Sequence, residues 1–186
     1  MMILTIVIIL TLTILISIKY IYKNVLHIYI MHAIHNTWTL YAHLPHVTDW
    51  SLKSYIKVMT INSIEEIIAL YDLLSPKLIS SCMLFLMKND IKPLWEDPAN
   101  KSGGSFSYKV SNQFVPHAWK ELSYMVCGST LMKNYDSING ITISPKKNFC
   151  IIKIWLATCK HTDPTLITYP NNLQAKGCIF KKHLTT

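Results

Sequence analysis

Short segments in which hydrophobic and polar residues alternate, or in which hydrophobic residues run together, recur along the chain and predict β-strands. These segments are residues 37–44, 52–60, 82–87, 105–111, 140–144, 149–158 and, as a weaker candidate, 177–182. Proline, glycine, asparagine and aspartate are frequent between them and favour turns. The pattern therefore predicts a protein built mainly on a β-sheet.

Two segments show the helical period instead. The first begins at Ser63, and Glu66 three positions later completes the pattern of a helix-capping box. Its hydrophobic residues recur at helical spacing, at Ile64, Ile67, Ile68 and Tyr71. We predict that Pro76 closes this helix. The second helix is predicted between Pro116, which suits a first helical turn, and Gly128, which suits a C-cap.

Strands in adjacent runs with two helices between them are typical of an α+β layout. We expect a mostly antiparallel sheet with helices packed on one face, which leaves the opposite face or an edge free for a ligand. The chain has 186 residues, which suits a single domain of ordinary size. We assign that domain to residues 31–186, although the pattern weakens after Thr158.

The first thirty residues form a hydrophobic N-terminal segment of a different kind. Residues 2–18 carry no charge, and as a helix they would span about 26 Å, slightly less than a bilayer core. Lys19 and Lys23 follow this run, so the positive-inside rule places the domain in the cytoplasm if the segment is a membrane anchor. Alternatively, translation starts at Met31 and the upstream residues are an annotation artefact.

The net charge of +8 comes entirely from lysine, since all eighteen basic residues are lysines. An anion site in this protein must therefore use lysine point charges without the bidentate fork of arginine. The use of lysine without arginine suggests an AT-rich genome, such as that of a large DNA virus or an AT-rich protist. Five cysteines without a C-x-x-C spacing indicate free thiols, and predict neither disulfides nor a zinc site.

The loop at residues 90–104 places Trp95 beside Glu96 among prolines and glycines, and Trp50 lies in another loop. Indole faces can stack on a nucleobase, and a carboxylate accepts the paired hydrogen-bond donors that guanine presents. Methylation at N7 makes guanine cationic and adds cation–π attraction. Phosphates on such a base would need cations, which Lys146 and Lys147 supply. From the residues alone, ordinary packing of the two tryptophans is the favoured interpretation, and a cap-like ligand is the alternative.

Several stretches occur in the order and spacing of a known family. They are residues 35–45, 49–74, 91–104 and 152–155, and the W-E-D-P-x-N-K-x-G-G part of the third stretch is highly specific. Over residues 32–158 the chain resembles the messenger RNA cap-binding translation initiation factor 4E family. That resemblance implies a cupped-hand fold, a curved antiparallel sheet backed by helices on its convex face, with the ligand in the concave face.

The resemblance also implies roles for individual residues. Trp50 and Trp95 would sandwich the 7-methylguanine, Glu96 would accept from its N1 and N2 donors, and Trp155 would lie near the N7-methyl group. On the phosphate side, Lys146 matches a family arginine, whereas Ser105 stands where the family has a basic residue. We therefore expect weaker binding of the triphosphate.

The convex surface departs further from the family. The resemblance implies that a scaffold initiation factor docks there, near His32, Ile64, Ile68, Lys120 and Glu121. Ile68 replaces a tryptophan and Lys120 replaces a leucine. Loss of a central aromatic anchor typically costs about 2 kcal/mol or more, so either the usual scaffold binds poorly or a substitute partner has co-adapted; Ile68 could also be ordinary core.

We predict a protein that binds the 7-methylguanosine cap of messenger RNA in the cytoplasm and promotes translation initiation. The alternative is a cap-sequestering regulator, or a membrane-tethered protein anchored through residues 2–18, that does not recruit the usual scaffold. We expect no enzymatic activity, cofactor or metal, because no nucleophile with a base, acid-rich motif or regular histidine spacing is evident. The family's C-terminal helix is expected to be shortened or missing.

Overall fold

The computed structural model describes residues 31–183, together with Ile14 and Ser17. The predicted N-terminal anchor at residues 2–18 thus lies, apart from these two positions, outside the described residues. None of the helices in the described part of the chain combines the length and the hydropathy that crossing a membrane requires.

Seven strands form one open sheet in which every neighbouring pair is antiparallel. The strands are β1 (Ala33–His43), β2 (Tyr55–Ser63), β3 (Met83–Lys88), β4 (Gly104–Ser111), β5 (Ile138–Pro145), β6 (Phe149–Leu156) and β7 (Ile179–Lys182). Their order across the sheet is β2-β1-β3-β5-β6-β4-β7. The expected curved antiparallel sheet is confirmed.

In the described part of the chain, three α-helices connect the strands: α1 (Ile64–Leu73), α2 (Pro76–Ser81) and α3 (Val115–Cys127). The Ser63 hydroxyl accepts from the Glu66 N–H at 3.2 Å, as the capping pattern predicts. The role given to Pro76 is wrong in part. α1 already ends at Leu73, and Pro76 starts α2, where the Ser75 hydroxyl accepts from the Leu78 N–H and caps the new helix.

The helices cover one face of the sheet. Trp119 and Leu122 of α3 and Leu70 of α1 are buried there against strand residues such as Phe106 and Ile154. Burial of a large hydrophobic side chain contributes roughly 1.5–3 kcal/mol to stability. Most of the buried hydrophobic residues lie between this face and the helices, so this interface is the main core. The helices therefore pack on a single face, as the sequence predicts.

The other face carries a smaller hydrophobic cluster of Tyr41, Phe85, Met87 and Trp155. These residues alternate along their strands with the residues of the main core, as the period of two requires. We call this side of the sheet the open face. It is the face on which a ligand is expected.

The segment after β6 is short, as predicted. Between Ala157 and His183 the described residues contain one 3₁₀ turn, Pro164–Leu166, and strand β7. The family's C-terminal helix is thus missing from this part of the chain. β7 pairs with β4 at the edge of the sheet, which confirms the final strand that the weak pattern at residues 177–182 predicts.

Some predicted boundaries need correction. β1 begins at Ala33 rather than residue 37, and residues Leu52–Ser54 form a 3₁₀ turn before β2 rather than its first part. Gly128 caps α3 as predicted, but its φ is −81°. The left-handed residue of that turn is Ser129, with φ of 58°.

Candidate functional site

A cavity of about 360 Å³ opens on the open face of the sheet, and we call it the slot cavity. Its lining residues are Trp50, Tyr55, Met83, Phe85, Pro93, Leu94, Trp95, Glu96, Thr142, Ser144, Lys153 and Trp155. The structure therefore brings together the four residues that the sequence assigns to recognition of the base. They come from two loops and one strand that are far apart in the sequence.

The three tryptophans of the slot cavity differ in exposure. Trp50 is 51% exposed and Trp95 is 44% exposed, whereas Trp155 is 2% exposed. The Trp155 indole N–H donates to the Thr142 hydroxyl at 3.2 Å. Trp155 thus forms part of the buried floor, and the two loop tryptophans have indole surface available for a ligand.

Asn100 holds the loop that carries Trp95. It is fully buried, and its side-chain amide donates to the carbonyl oxygens of Lys92 and Leu94 at 3.0 and 2.8 Å. Its own side-chain oxygen accepts from the Asn139 amide at 3.0 Å. Buried polar groups with this many partners fix the local backbone, because losing any partner leaves an unsatisfied group. The exposed tryptophan therefore sits on a rigid loop.

Asp97 stabilises the same loop from within. Its carboxylate oxygens accept from the backbone N–H groups of Lys92 at 3.0 Å and Ala99 at 2.9 Å. The neighbouring carboxylate, Glu96, is exposed and lines the slot cavity. Of these two adjacent acids, one builds the loop and the other faces the cavity.

The glycine pair that ends this loop is required by close packing. A Cβ atom at Gly103 would lie 1.8 Å from the Leu156 carbonyl oxygen. A Cβ atom at Gly104 would lie 2.4 Å from the Phe180 ring. Both distances are far below any normal contact, so only glycine allows β4 to pass this close to β6 and β7.

A histidine lies behind Trp50. The imidazole of His43 is stacked on the Trp50 indole, with ring centroids 4.1 Å apart and planes 3° from parallel. His43 Nε2 donates to the Asp49 carbonyl oxygen at 2.9 Å, which ties the imidazole to the loop of Trp50. The Asp49 carboxylate accepts from the N–H and hydroxyl of Ser51, and these hydrogen bonds hold the pKa of Asp49 below its ordinary value.

A second histidine lies behind Trp95. The imidazole of His183 is parallel to the Trp95 indole within 1°, at a centroid distance of 6.5 Å, and lies 4.6 Å from the Trp155 ring. Its Nδ1 donates to the Asn100 carbonyl oxygen at 2.8 Å. Burial lowers the pKa of His183, and the charge of Lys153 acts in the same direction. Sequence reasoning missed both histidines, because neither belongs to a spacing pattern.

Tyr55 lines the slot cavity and packs edge-on against His43 and Phe85. Burial raises the pKa of Tyr55 to about 12, and the charge of Glu96 acts in the same direction. The Glu96 carboxylate is thus close enough to Tyr55 to affect it, and both residues line the slot cavity. A ligand that presents hydrogen-bond donors would meet an acceptor there.

Lysines gather at one side of the slot cavity. Lys153 lines it, with Nζ 5.3 Å from the centre of the Trp95 ring. Burial lowers the pKa of Lys153, and the charges of Lys181 and Lys146 lower it further. The structure thus brings the predicted Lys146 near this group. Lys146 and Lys147 are both exposed in the turn between β5 and β6, and neither lines the cavity.

The helix-covered side has a second cavity, of about 600 Å³, which we call the groove. Its lining residues are Ala33, Ile34, His35, Ile64, Ile67, Ile68, Tyr124, Cys127, Gly128, Ser129 and Tyr135. Ile64 and Ile68 are each 46% exposed. Ile68 is therefore a surface residue of the groove and not ordinary core.

The other predicted partner-binding residues surround the groove without lining it. His32 Nδ1 lies 2.7 Å from a Glu65 carboxylate oxygen, and hydrogen bonding with His32 lowers the pKa of Glu65 to about 2. The Lys120 ammonium lies over the ring of Tyr124 at 5.6 Å. Glu121 pairs with His117, one turn earlier, at 3.2 Å.

The described residues hold no group of three or more histidine, cysteine, aspartate or glutamate side chains arranged as metal ligands. All five cysteines are free thiols. Burial raises the pKa of Cys82 to about 12 and also raises that of Cys127, so these thiols are unreactive packing groups.

The chain is similar in sequence to proteins of one known family. A family model described as eukaryotic initiation factor 4E matches residues 33–174. The translation initiation factor 4E of Eremothecium gossypii is 32% identical over 132 residues, which cover 67% of this chain and 62% of that protein. The factor 4E homolog of Acanthamoeba polyphaga mimivirus is 26% identical over 133 residues, which cover 59% of this chain and 49% of the viral protein.

A solved structure of schistosome initiation factor 4E, complexed with m7GpppA and 4E-BP, has a TM-score of 0.64 and 27% identity. The match covers 72% of this chain and 75% of that one. The chain spans about half to two thirds of the length of these curated relatives. The family match covers the whole sheet up to β6, including both loop tryptophans. The chain therefore belongs to the eukaryotic initiation factor 4E family.

Proposed function

We propose that this protein binds the 7-methylguanosine 5′ cap of messenger RNA and promotes translation initiation by recruiting capped message. The main observation behind the proposal is that Trp50, Trp95 and Glu96 line the same cavity. Both indoles are about half exposed. Two partly exposed indoles on rigid loops of one cavity suit a ligand with two flat faces.

Each part of the cap has a matching group in the slot cavity. The cationic 7-methylguanine would stack between Trp50 and Trp95, where cation–π attraction adds to stacking. Glu96 would accept from its N1 and N2 donors, and the Trp95 backbone N–H would donate to its O6. Trp155 would lie near the methyl group. Lys153 and Lys146 would hold phosphates, as lysine point charges do.

The schistosome relative, whose structure contains m7GpppA and 4E-BP, supports both a cap ligand and a protein partner. We propose that the partner, a scaffold initiation factor or a substitute, docks on the groove. Ile64 and Ile68 supply exposed hydrophobic surface there, although an isoleucine buries less area than the tryptophan of the family. The sequestering alternative, without a scaffold, is less supported because this hydrophobic surface persists. Membrane attachment through residues 2–18 stays a prediction.

The proposal is tested by titrating the tryptophan fluorescence of the full chain with 7-methyl-GTP and, separately, with GTP. We expect strong quenching by the methylated nucleotide only. Glu96→Gln removes a charged acceptor, which is worth about 1.5–3 kcal/mol, so affinity for 7-methyl-GTP should fall roughly 10- to 100-fold. Asp90→Asn, at the exposed start of the same loop, is the matched control and should change little. Equal, weak quenching by both nucleotides would contradict the proposal.

A further inference from the structure

The two faces of the Trp50 indole have different surroundings. One face is covered by the His43 imidazole, with ring centroids 4.1 Å apart and planes 3° from parallel. Trp50 lines the slot cavity, whereas His43 does not. The indole therefore separates a histidine from the space in which a base would stack. Any charge on the imidazole would act on that base through the indole.

The position of His43 behind Trp50 is fixed by its neighbours. His43 is 2% exposed, and its Nε2 donates to the Asp49 carbonyl oxygen at 2.9 Å. In the sheet it pairs with Tyr55 of β2 and Met83 of β3, and the Tyr55 ring packs against the imidazole at a centroid distance of 5.1 Å. Because Nε2 is a donor in both the neutral and the protonated form of the imidazole, this hydrogen bond keeps the imidazole on Trp50 in both forms.

The ionisable groups around His43 keep their charge between about pH 5 and 8, the range in which histidine side chains change theirs. Burial raises the pKa of Tyr55 to about 12, and it also raises the pKa of Cys82, whose thiol donates to the His43 carbonyl oxygen, to about 12. Hydrogen bonds from Ser51 hold the pKa of Asp49 below its ordinary value. The phenol and the thiol thus stay neutral and the carboxylate stays negative. Since Nε2 already donates to a carbonyl, a second proton on His43 would go to Nδ1.

We propose that the charge of His43 sets how strongly the slot cavity prefers a cationic base to a neutral one. This rests on the proposed function, because only stacking on Trp50 brings the charge of 7-methylguanine near the imidazole. A cation is attracted to an indole face within about 6 Å of the ring centroid. With the imidazole 4.1 Å away on the other face, the two charges would be no more than about 10 Å apart.

The two charge states of His43 then have opposite consequences for the ligand. A neutral imidazole leaves the electrons of the Trp50 ring available to the cationic base. A protonated imidazole is attracted to the same ring electrons from behind, and it repels the positive charge of 7-methylguanine. Guanine is neutral and is affected much less. The selectivity for 7-methyl-GTP over GTP should therefore fall as His43 becomes protonated.

The test measures this selectivity, the ratio of the dissociation constants of GTP and 7-methyl-GTP, for the full chain at about pH 7.5 and about pH 5.5, above and below the ordinary histidine value of about 6.5. Both nucleotides carry the same triphosphate, so changes in phosphate ionisation cancel in the ratio. Isothermal titration calorimetry is the suitable method, because protonation of a histidine stacked on a tryptophan also changes fluorescence.

Two variants separate His43 from the other charged groups of the slot cavity. His43→Phe keeps an aromatic ring behind Trp50 but cannot be protonated. His183→Gln is the matched control, because it removes the histidine behind Trp95 and leaves His43 in place. Glu96 and Lys153, which line the cavity, are the same in all three proteins, so their contributions cancel in the comparison.

In the wild-type protein we expect the selectivity to fall by about threefold to tenfold between the two pH values, the size expected for two like charges about 10 Å apart in a partly screened site. His43→Phe should lose most of this fall and keep the selectivity found at the higher pH. His183→Gln should show the same fall as the wild-type protein.

A second measurement needs no variant, so it decides the question even if His43→Phe does not fold. Coupling between two binding events is reciprocal. Saturating 7-methyl-GTP should therefore lower the pH at which His43 becomes half protonated, as followed by NMR of the imidazole, by more than saturating GTP does.

The proposal is overturned if the fall in selectivity is absent from the wild-type protein, persists in His43→Phe or disappears in His183→Gln. It is also overturned if both nucleotides leave the protonation of His43 unchanged. In each case selectivity for 7-methyl-GTP at the higher pH would show that the proposed function still holds. If the wild-type protein does not distinguish 7-methyl-GTP from GTP at that pH, the two proposals fail together.

Discussion

The slot cavity and the groove are both partly hydrophobic, yet they are built in different ways. In the slot cavity, exposed Trp50 and Trp95 stand on loops that buried polar groups hold in place. In the groove, Ile64 and Ile68 project from a regular helix whose own hydrogen bonds need no such support. The shape of the slot cavity therefore depends on particular supporting side chains, whereas the groove requires only that its helix present hydrophobic residues.

The resemblance implies that the groove departs from the family more than the slot cavity does, and this difference in construction would account for it. Replacing Asn100 or Gly103 would remove hydrogen bonds or create a clash, so the loop tolerates few alternatives. Replacing a tryptophan by Ile68 leaves α1 intact and changes only what the groove can bind. A partner with a matching shape can compensate for such a change, whereas a fixed ligand such as 7-methylguanine cannot.

The largest expected effect concerns the support of the slot cavity. Asn100→Ala leaves the Lys92 carbonyl without its partner. It also removes one of two hydrogen bonds from the Leu94 carbonyl and one of two from the Asn139 amide. At roughly 1–3 kcal/mol for each unsatisfied buried group, with partial relaxation, we expect a loss of about 2–4 kcal/mol in the free energy of unfolding. Urea denaturation measures this loss, and calorimetric titration should show weaker binding of 7-methyl-GTP.

Asn148→Ala is the control for that experiment, because Asn148 is exposed in the turn between β5 and β6. Exposed substitutions usually change stability by less than about 0.5 kcal/mol. A loss below that size for Asn100→Ala would show that the loop does not depend on its buried amide.

An intermediate effect separates the two regions directly. Trp50→Ala removes one stacking face, so we expect the affinity for 7-methyl-GTP to fall by about 2 kcal/mol, roughly 30-fold. Ile68→Asp should leave that affinity within about twofold, because distant sites act independently. Isothermal titration calorimetry measures both without relying on tryptophan fluorescence. If Ile68→Asp weakened binding as much as Trp50→Ala, the two regions would be energetically coupled.

The smallest expected effect is the pH dependence given by His183. Its pKa is lowered by burial, so the folded protein favours the neutral imidazole, whereas the unfolded chain protonates near pH 6.5. The unfolded state then binds more protons below that pH, and stability should fall as the pH drops through 6.5. Urea unfolding between about pH 7.5 and pH 5.5 measures this loss.

His183→Gln should reduce that pH dependence, because glutamine does not titrate. His46→Gln serves as the control, since His46 is exposed, and the pH dependence should stay close to that of the wild-type protein. An unchanged pH dependence in His183→Gln would mean that other groups are responsible for it.

The sequence predicts the slot cavity better than its surroundings, for local reasons. Trp95 and Glu96 lie within one specific stretch, and Trp50 and Trp155 lie at fixed spacing from it, so motif and spacing suffice. His43 and His183 could not be predicted, because their contacts with Trp50 and Trp95 arise from strand register and from the return of β7 to β4. The same register places Lys181 beside Ser105, which no spacing along the chain reveals.

The helical regions show another limit of sequence reasoning. The hydrophobic pattern predicts only that Pro76 ends a helix. Proline is equally suited to a first helical turn, and Ser75 before it is a usable N-cap signal. For Ile68 the helical period permits both a buried and an exposed position. Only the packing of α1 on the sheet decides that it lies at the surface.

The position of His183 in the chain has a consequence for biosynthesis. Trp50 and Trp95 are synthesised well before His183, which follows Trp95 by 88 residues. The His183 imidazole nevertheless lies behind both Trp95 and Trp155 in the folded protein. A chain still being translated would display its aromatic loops before β7 can join the sheet. Since domains begin to fold during synthesis, we expect full ligand affinity to develop only after β7 has paired with β4.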